Sequence, residues 1–574
     1  MVWTELTEAI AAALAAAGGR NGGHRDRIEL AVPRDPSHGD WTTNVALVLS
    51  RELGKKPREL AEALVHGMPA APALFDPPEI AGPGFLNFRY SNAFLNGLPA
   101  RIVREDAAFG RSALGREGRV LVEYVSANPT GPLNVVSARA AAVGATLVRL
   151  FDATGQDVEG EFYVNDVGNQ TDLLGQSVAA RFATAQGIPR ALPPEGYQGA
   201  YLVDVAAKLD VEAARAALAR DDADWFRAQA LERMLDWQRG DLADYGAEYA
   251  RWFRESTLHA SGAVQATLAE LEQRGVLYRA VDPESGYERP DEARPAAEGA
   301  QPATWLRTSH YGDTQDRVVV RANGTPTYLL PDLAYHRDKR SRGNRWAIDL
   351  WGPDHHAYVK TLSAGLRALG VEPDFLQVII VQQVNLVSGG QPVKMSKRAG
   401  EFVTLRDLMD DVGPDCAKFF FLMRSTSAHL DFDLDLARKQ NDDNPAYYVQ
   451  YAHARIASIL RYAAERGLTP AKEAASSLAA PEERALIRKL AAFPEVIRGA
   501  AAAREPHRIP TYLTELAAEF HRFYHACRVV SDDVARSRDR LLLSAAARIV
   551  LRNGLALMGV SAPDRLERTD ESLS

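Results

Sequence analysis

The sequence predicts a multidomain α/β protein, in which a doubly wound parallel-sheet core follows an α+β domain and precedes an all-α bundle. Three observations support this fold class. The chain has 574 residues, which is too long for a single hydrophobic core. Between about residues 118 and 440, short apolar segments alternate with helical ones, an order typical of a parallel sheet with crossover helices. From about residue 441 onward the apolar residues follow only a helical period.

Residues 1–105 are predicted to form the α+β domain. Helical patterns cover residues 5–17 and 42–66, and extended segments cover residues 27–32 and 84–90. Prolines between these segments mark the turns.

Residues 106–440 are predicted to form the core domain, with strands at residues 119–124, 158–164, 317–320, 346–351 and 377–382. A charged helical stretch from about residue 173 to 280 is too long for an ordinary crossover and predicts a helical insertion. Residues 390–440 form a segment that carries a lysine-containing loop. Residues 441–574 complete the chain as the bundle, with helices predicted at 446–462, 480–502, 509–529 and 538–558.

Composition predicts a cytoplasmic protein without a disulfide framework. Lysine and arginine number 67 against 75 aspartates and glutamates, a net charge of −8. Local basic faces, more than this total, decide whether phosphates bind. No apolar run reaches the roughly 18–20 residues of a membrane span. The two cysteines are too few for a zinc site, and the first residues read as an amphipathic helix rather than a signal peptide.

The tetrapeptide Lys394-Met395-Ser396-Lys397 is the strongest short motif. Two lysines three positions apart on a loop can cover a triphosphate and stabilise the negative charge that develops when its α-phosphate is attacked. The alternative is a solvated loop without a ligand. A second segment upstream favours the first interpretation. There an apolar strand leads through a Pro/Gly-rich turn, residues 123–133, into Asn134-Val135-Val136-Ser137 and an alanine-rich helix.

Together these two segments resemble the two signatures of arginyl-tRNA synthetases, which are class I enzymes. Further blocks in the same order resemble that family, at residues 38–46, 81–88, 165–170, 324–328, 351–356, 430–435, 444–455 and 551–558. The resemblance implies a Rossmann-type, HUP-like core, an N-terminal domain that contacts the outer corner of tRNA, and an anticodon-binding bundle. It also implies arginine–tRNA ligase activity in a monomer that uses L-arginine, ATP and tRNA(Arg), without a membrane partner. Mg²⁺ is expected to arrive with ATP, so no dedicated metal site is predicted.

The resemblance assigns roles to individual residues. The catalytic residues are Lys394, Ser396, Lys397, Asn134 and Ser137. Contacts with ATP come from Asn134, Val136, Ser137, Lys394, Met395 and Lys397. Contacts with arginine come from Glu123, Asn128, Tyr328, Asp332, Asp354, His355 and His356. Contacts with tRNA come from Asn44, Tyr448, Tyr451 and Arg455.

The residue types suit these roles, although each has another interpretation. Glu123 and Asp332 can pair with a planar guanidinium, and Tyr328 should share a helical face with Asp332. The alternative for both acids is a structural ion pair. The tyrosines of the bundle could stack on bases or pack in the core. A metal site at residues 354–356 is disfavoured, since one acid and two adjacent histidines cannot all face one ion.

The first signature departs from the family's usual His-Val-Gly-His at three of its four positions. Asn134 keeps a hydrogen-bond donor but cannot become cationic, and Ser137 keeps only a short hydroxyl. Val136 puts a branched side chain where the family leaves room for adenine. Loss of one transition-state hydrogen bond typically costs about 2.7–4 kcal/mol. Two functions therefore stay open, a working arginine–tRNA ligase and a synthetase-derived protein that binds tRNA or arginine with weak or no activation. The complete bundle disfavours a different adenylyl-transfer enzyme.

Overall fold

The computed structural model describes residues 2–18, 24–33, 35–68, 74–113, 115, 118–281, 301–393 and 403–566. Within these residues it shows a parallel sheet between an N-terminal α+β unit and a C-terminal helical unit, which confirms the predicted fold class. Lys394, Met395, Ser396 and Lys397 lie outside the described residues.

The N-terminal unit packs helices against a small antiparallel sheet in the order β1-β3-β2. Its helices are α1 (Val2–Ala16), α2 (Val45–Leu49), α3 (Pro57–Gly67) and α4 (Asn92–Glu105). Its strands are β1 (Trp41–Thr43), β2 (Glu79–Ala81) and β3 (Phe85–Phe88). The single helix predicted over residues 42–66 is wrong, because residues 41–43 pair with β3 and α3 begins only at Pro57, a residue favoured in a first helical turn. Of the extended segment predicted at 27–32, Ala31 alone forms a bridge, with Thr42.

The central sheet has five parallel strands in the order β11-β10-β4-β5-β6. They are β4 (Arg119–Glu123), β5 (Val158–Val164), β6 (Arg251–Arg254), β10 (Asn344–Trp351) and β11 (Leu376–Ile380). Helices α5 (Val135–Ala153), α12 (Leu329–Ser341) and α13 (Tyr358–Ala368) precede or connect these strands. Four strands match the predicted ones, whereas β6 was not predicted.

The strand predicted at residues 317–320 exists, but it lies in a separate antiparallel sheet with the order β7-β8-β9. These strands are β7 (Leu277–Ala280), β8 (Ala303–Leu306) and β9 (Arg317–Val320). Short helices α10 (Ser256–Ala260) and α11 (Ala263–Gln273) precede this sheet. The helical insertion expected over residues 173–280 is interrupted after Asp244, because β6 joins the central sheet before α10 and α11 begin. Its helices are α6 (Asn169–Ala185), α7 (Tyr201–Ala207), α8 (Val211–Ala219) and α9 (Ala223–Asp244).

A third small sheet, in the order β13-β12-β14, and three helices lead to the bundle. These elements are β12 (Val384–Ser388), β13 (Gln391–Pro392), α14 (Leu405–Val412), α15 (Pro414–Leu422), β14 (Leu430–Asp433) and α16 (Leu434–Arg438). The bundle consists of α17 (Pro445–Ala464), α18 (Pro481–Ala491), α19 (Phe493–Ala503), α20 (Arg508–Ala526) and α21 (Val534–Leu557). The helix predicted over residues 480–502 is therefore two helices, and the second has a proline in its first turn.

The N-terminal unit contacts the bundle directly. The Trp3 backbone nitrogen donates to Glu495 Oε1 at 3.1 Å, and the Arg498 guanidinium lies 4.0 Å from the centre of the Trp3 ring. Arg488 Nε pairs with Asp40 Oδ1 at 2.8 Å. Within the part of the chain that the structure describes, no helix is long and apolar enough to cross a membrane.

Candidate active site

The candidate site lies where the strand order of the central sheet reverses, at the carboxyl ends of β4 and β10. Ligands of open α/β sheets bind at such a crevice. Glu123 ends β4 and stands in register with Asp349 on β10 and with Glu161 on β5. These three acidic residues thus lie side by side on neighbouring strands of the sheet.

Lys339, on α12, places a buried cation between two of these acids. Its Nζ lies 2.6 Å from Glu123 Oε2 and 2.8 Å from Asp349 Oδ1, and the side chain has no exposed surface. His336, one turn earlier, places Nε2 2.8 Å from Asp349 Oδ2 and Nδ1 2.8 Å from the carbonyl oxygen of Asp332. Glu161 pairs instead with Arg342 at 2.7 and 2.8 Å. The ion pairing considered for Glu123 is therefore present.

Asp332 has a different environment. Its Oδ2 accepts a hydrogen bond from the Tyr358 hydroxyl at 2.6 Å. Burial of the carboxyl raises the pKa of Asp332 to about 6, and the negative charges of Glu255 and Glu123 act in the same direction. Among the described residues, no lysine or arginine forms an ion pair with Asp332. The carboxylate is thus under-compensated, as a site for an incoming cation would be.

Glu255 was not predicted as a site residue. It follows β6 directly, is 8% exposed and lies near the Tyr163 side chain, and its Oε1 is 3.5 Å from His259 Nε2. Burial raises the pKa of Tyr163, and the charge of Glu255 raises it further. The signal that could have found Glu255 is its place at the carboxyl end of a strand, but that strand was not predicted.

The turn after β4 has strained backbone that aims a hydroxyl at the site. Val125 has φ 70° and Ser126 has φ 41°, a left-handed conformation that a β-branched residue rarely adopts. Ser126 Oγ donates to Glu123 Oε1 at 2.8 Å and accepts from the Tyr163 backbone nitrogen at 3.0 Å. The turn therefore fixes the oxygen of Glu123 that Lys339 leaves free.

The other candidate arginine contacts lie around the rim. Tyr328 precedes α12 and is 78% exposed, so the structure does not place its side chain beside the inward-facing Asp332. Asn128 Nδ2 donates to Gln170 Oε1 at 2.8 Å. Asp354 and His355 are exposed after β10, with His355 Nε2 3.3 Å from Asp354 Oδ2. His356 is exposed beside them. Within the described ranges, no three His, Cys, Asp or Glu side chains form a group that could hold a metal ion.

The altered signature forms the start of α5. Asn134 is the N-cap residue, and its Oδ1 accepts hydrogen bonds from the backbone nitrogens of Val136 at 3.0 Å and Ser137 at 3.1 Å. The side-chain nitrogen of Asn134 remains as a possible donor to an anion. The first turn of this long helix favours negative charge through its dipole.

The segment after the lysine motif meets this turn. Asn134 forms an isolated antiparallel bridge with Thr404, and the Leu405 backbone nitrogen donates to the Leu133 carbonyl oxygen at 2.7 Å. The start of α14, which follows the second signature in sequence, is thus joined to the first signature at described residues. The positions of Lys394, Met395, Ser396 and Lys397 themselves are outside the described residues.

The candidate tRNA contacts divide between two surfaces. Asn44 is the N-cap residue of α2, where its side chain makes no capping hydrogen bond. Tyr451 accepts a hydrogen bond from Arg455 at 2.7 Å, and the Arg455 guanidinium lies 4.6 Å from the centre of the Tyr524 ring. The Tyr448 ring packs 5.1 Å from that of His521. Tyr448, Tyr451 and Arg455 are half-buried, so this stripe combines packing against α20 with an accessible edge.

Comparisons with known proteins agree with this architecture. The family model "Arginyl tRNA synthetase N terminal domain" matches residues 4–90, and "DALR anticodon binding domain" matches residues 449–566. The arginine–tRNA ligase of Moorella thermoacetica is 43% identical, covering 98% of this chain and 99% of the relative. That of Desulforamulus reducens is 42% identical, covering 96% and 97%. The arginyl-tRNA synthetase of Thermus thermophilus superposes with a TM-score of 0.75 at 24% identity, covering 99% of this chain and 100% of that structure.

The two family models and the relatives above 40% identity, together with this architecture, identify the chain as an aminoacyl-tRNA synthetase with a parallel-sheet core. Both of these relatives are arginine–tRNA ligases, and each is matched over nearly its whole length. The chain belongs to the arginyl-tRNA synthetase family, which confirms the resemblance found in the sequence.

Proposed function

We propose that this chain acts as an arginine–tRNA ligase. It would activate L-arginine with ATP to arginyl-adenylate and pass the arginyl group to the 3′-terminal adenosine of tRNA(Arg). One observation carries the proposal: Asp332 and Glu255 approach the end of the sheet without a lysine or arginine partner among the described residues. A guanidinium supplies the missing positive charge and can pair with carboxylates in a bidentate way.

In this proposal the amino acid occupies the acidic end of the site. Asp332 and Glu123 hold the guanidinium, with Tyr328 closing over it from its exposed position, and Glu255 adds to the negative field. Asn128 receives the α-amino group. Residues 354–356, namely Asp354, His355 and His356, lie beside the adenylate, because they follow the strand next to β4 at the same edge of the sheet.

ATP would bind at the start of α5. The donor of Asn134 and the hydroxyl of Ser137 would face the phosphates, and Val136 would border the adenine. Lys394, Met395, Ser396 and Lys397 are the residues expected to cover the triphosphate. An oxygen of the arginine carboxylate attacks the α-phosphorus, and the bond to the β-phosphate oxygen breaks, so that pyrophosphate leaves. A hydroxyl of the terminal ribose then attacks the arginyl carbonyl carbon, and AMP leaves.

Mg²⁺ would enter with ATP, because the described residues contain no ready-made group of metal ligands. Bound to the phosphates, the ion would offset their charge.

The remaining parts of the chain would hold tRNA(Arg). We assign residues 1–105 to contact with the outer corner through Asn44, residues 106–440 to catalysis, and residues 441–574 to the anticodon through Tyr448, Tyr451 and Arg455. Aromatic rings next to a guanidinium suit stacking on unpaired bases. The protein is proposed to work as a monomer.

Exchange of radiolabelled pyrophosphate into ATP tests the proposal in purified protein. Exchange that depends on both arginine and tRNA(Arg) is expected. Exchange that is absent, or equally strong with lysine, would overturn the ligase assignment.

A second candidate function is a tRNA- or arginine-binding protein with weak activation. The observation in its favour is that Asn134 uses its side-chain oxygen to cap α5, beside the half-buried Val136. Restoring the family's usual residues through N134H, V136G and S137H is the discriminating experiment. If exchange rises by about 10²-fold or more, the altered tetrapeptide limits catalysis. An unchanged rate removes the ground for this second candidate.

A further inference from the structure

Helix α9 contacts the turn that leads from β4 into α5. Gln238, which is 1% exposed, donates from Nε2 to the carbonyl oxygens of Asn128 at 3.2 Å and Gly131 at 2.9 Å. Because this buried amide donates to two carbonyls of one turn, it fixes the position of the turn relative to α9. The helical insertion is thereby attached to the first signature.

One turn further along α9, two acids hold Arg406 in the first turn of α14. Arg406 donates from Nε and Nη2 to Asp241 Oδ1, at 3.0 and 2.8 Å, and from Nη2 to Asp244 Oδ2 at 2.6 Å. Asp241 is 2% exposed, so its charge depends on this partner. Asp244 lies at the solvent side of the same cluster.

The third contact joins α14 to the turn itself. Thr404 bridges to Asn134, and the Leu405 nitrogen donates to the Leu133 carbonyl at 2.7 Å. Thr404 also caps α14, since its Oγ1 accepts from the Asp407 nitrogen at 3.0 Å. The turn, α9 and α14 therefore form a closed triangle with hydrogen bonds along each side.

We propose that Asp241 and Arg406 are positioning residues for ATP. Their ion pair holds α14 against Leu133 and Asn134, and so sets the direction in which the start of α5 faces the triphosphate. Neither side chain needs to touch a substrate. The inference rests on the proposed function and assigns the insertion helix a part in the activation step.

The pair should affect ATP more than arginine, because Asn128, the proposed contact for the α-amino group, is held by Gln238 and not by Asp241 or Arg406. Glu123 and Asp332 are held by Lys339 and Tyr358, respectively, on elements outside the triangle, and Glu255 follows β6, which also lies outside it. In addition, Asn134 replaces a residue that could be cationic, so phosphate binding relies on the placement of a neutral donor. A displacement of about 1 Å at such a donor can cost about 10²-fold in rate.

The test is the D241N variant in arginine- and tRNA-dependent ATP–pyrophosphate exchange. The side chain keeps its shape but loses the charge that Arg406 requires. We expect kcat/KM for ATP to fall by about 10–10²-fold, with KM for arginine within about twofold of the original. The matched control is D411N. Asp411 is also on α14 and accepts from Arg438 at 2.8 and 2.7 Å, but it takes no part in the triangle, so its loss should leave both constants unchanged.

R406K is the second variant, in case D241N fails to fold, as judged by its urea unfolding midpoint. Lysine keeps the positive charge but cannot reach two acids with a planar fork, so the same selective loss for ATP is expected. The inference is overturned if the folded variants keep the original kcat/KM for ATP, or if the constants for ATP and arginine change together. An original chain that shows no exchange would instead remove the proposed function.

Discussion

Lys339 places its ammonium nitrogen 2.6 Å from Glu123 and 2.8 Å from Asp349, so a single buried cation serves two strands. The two acids are not compensated equally. Burial alone would raise the pKa of Asp349, but Lys339 and His336 outweigh it and lower that pKa to about 2. Burial raises the pKa of Glu123, and Lys339 offsets this only in part. Glu123 therefore keeps capacity for a second cation.

Removal of this cation should destabilise the fold. In K339M the ammonium is lost while most of the apolar stem is kept, which leaves Glu123 and Asp349 buried side by side. Breaking a buried pair by deleting one partner typically costs about 3–5 kcal/mol. Urea unfolding followed by circular dichroism measures the change. K360M, at an exposed lysine on α13, is the control, and equal stability of the two variants would contradict the prediction.

Neutralising Asp332 should weaken arginine binding selectively. D332N keeps the hydrogen bond to Tyr358 but removes the charge that a guanidinium would meet. Loss of one charged partner costs about 2–5 kcal/mol, so KM for arginine should rise by at least about 30-fold, with KM for ATP nearly unchanged. Exchange kinetics at varied arginine provide the measurement. D374N, at an exposed aspartate that pairs with Arg345, should behave like the original chain.

The same carboxyl should make arginine use depend on pH. Its pKa is about 6 in the folded chain, above the ordinary 3.8, so Asp332 becomes protonated as the pH falls through 6. KM for arginine should then rise by up to about tenfold per pH unit between pH 6 and 5. A raised pKa also means that the folded state gains stability as pH falls through this range. In D332N the KM profile should be flat, and an unchanged slope in that variant would assign the titration to another group.

The stripe on α17 should contribute to tRNA binding. R455A removes the guanidinium that contacts Tyr451 and Tyr524, and so both a phosphate partner and the support of two rings. We expect the Kd for tRNA(Arg) to rise by about tenfold, in line with about 1–3 kcal/mol per stacked base. Filter binding is a suitable measurement. R466A removes an arginine just beyond the end of the same helix, and a similar loss there would indicate a general charge effect.

The sequence predicted the fold class better than it predicted the buried residues below the site, namely Asp332, His336 and Lys339 with the acids they face. Asp332, His336 and Lys339 are spaced by four and three residues, so they could have been placed on one helical face. They stand among other charged residues, however, and a charged stretch normally indicates a solvent-exposed surface. The register of β4 with β10, which the sequence does not give, places Glu123 and Asp349 side by side against this face of α12.

Two other features could not be read from the chain. Glu255 follows a strand with arginine at both ends, and so short an edge strand lacks the apolar run that identified the others. The left-handed backbone at Val125 contradicts the preference of its residue type, and tertiary contacts must impose it. Periodicity likewise identified residues 317–320 as a strand but carries no information about which sheet it joins.

The contacts of Trp3 with Glu495 and Arg498, and of Asp40 with Arg488, have a consequence for the choice of RNA. They join the first and last parts of the chain without passing through the catalytic sheet. Under the proposed function, these two parts grip opposite regions of one tRNA. The contacts between these two parts would set their spacing, so the overall shape of the tRNA would contribute to its selection along with its bases.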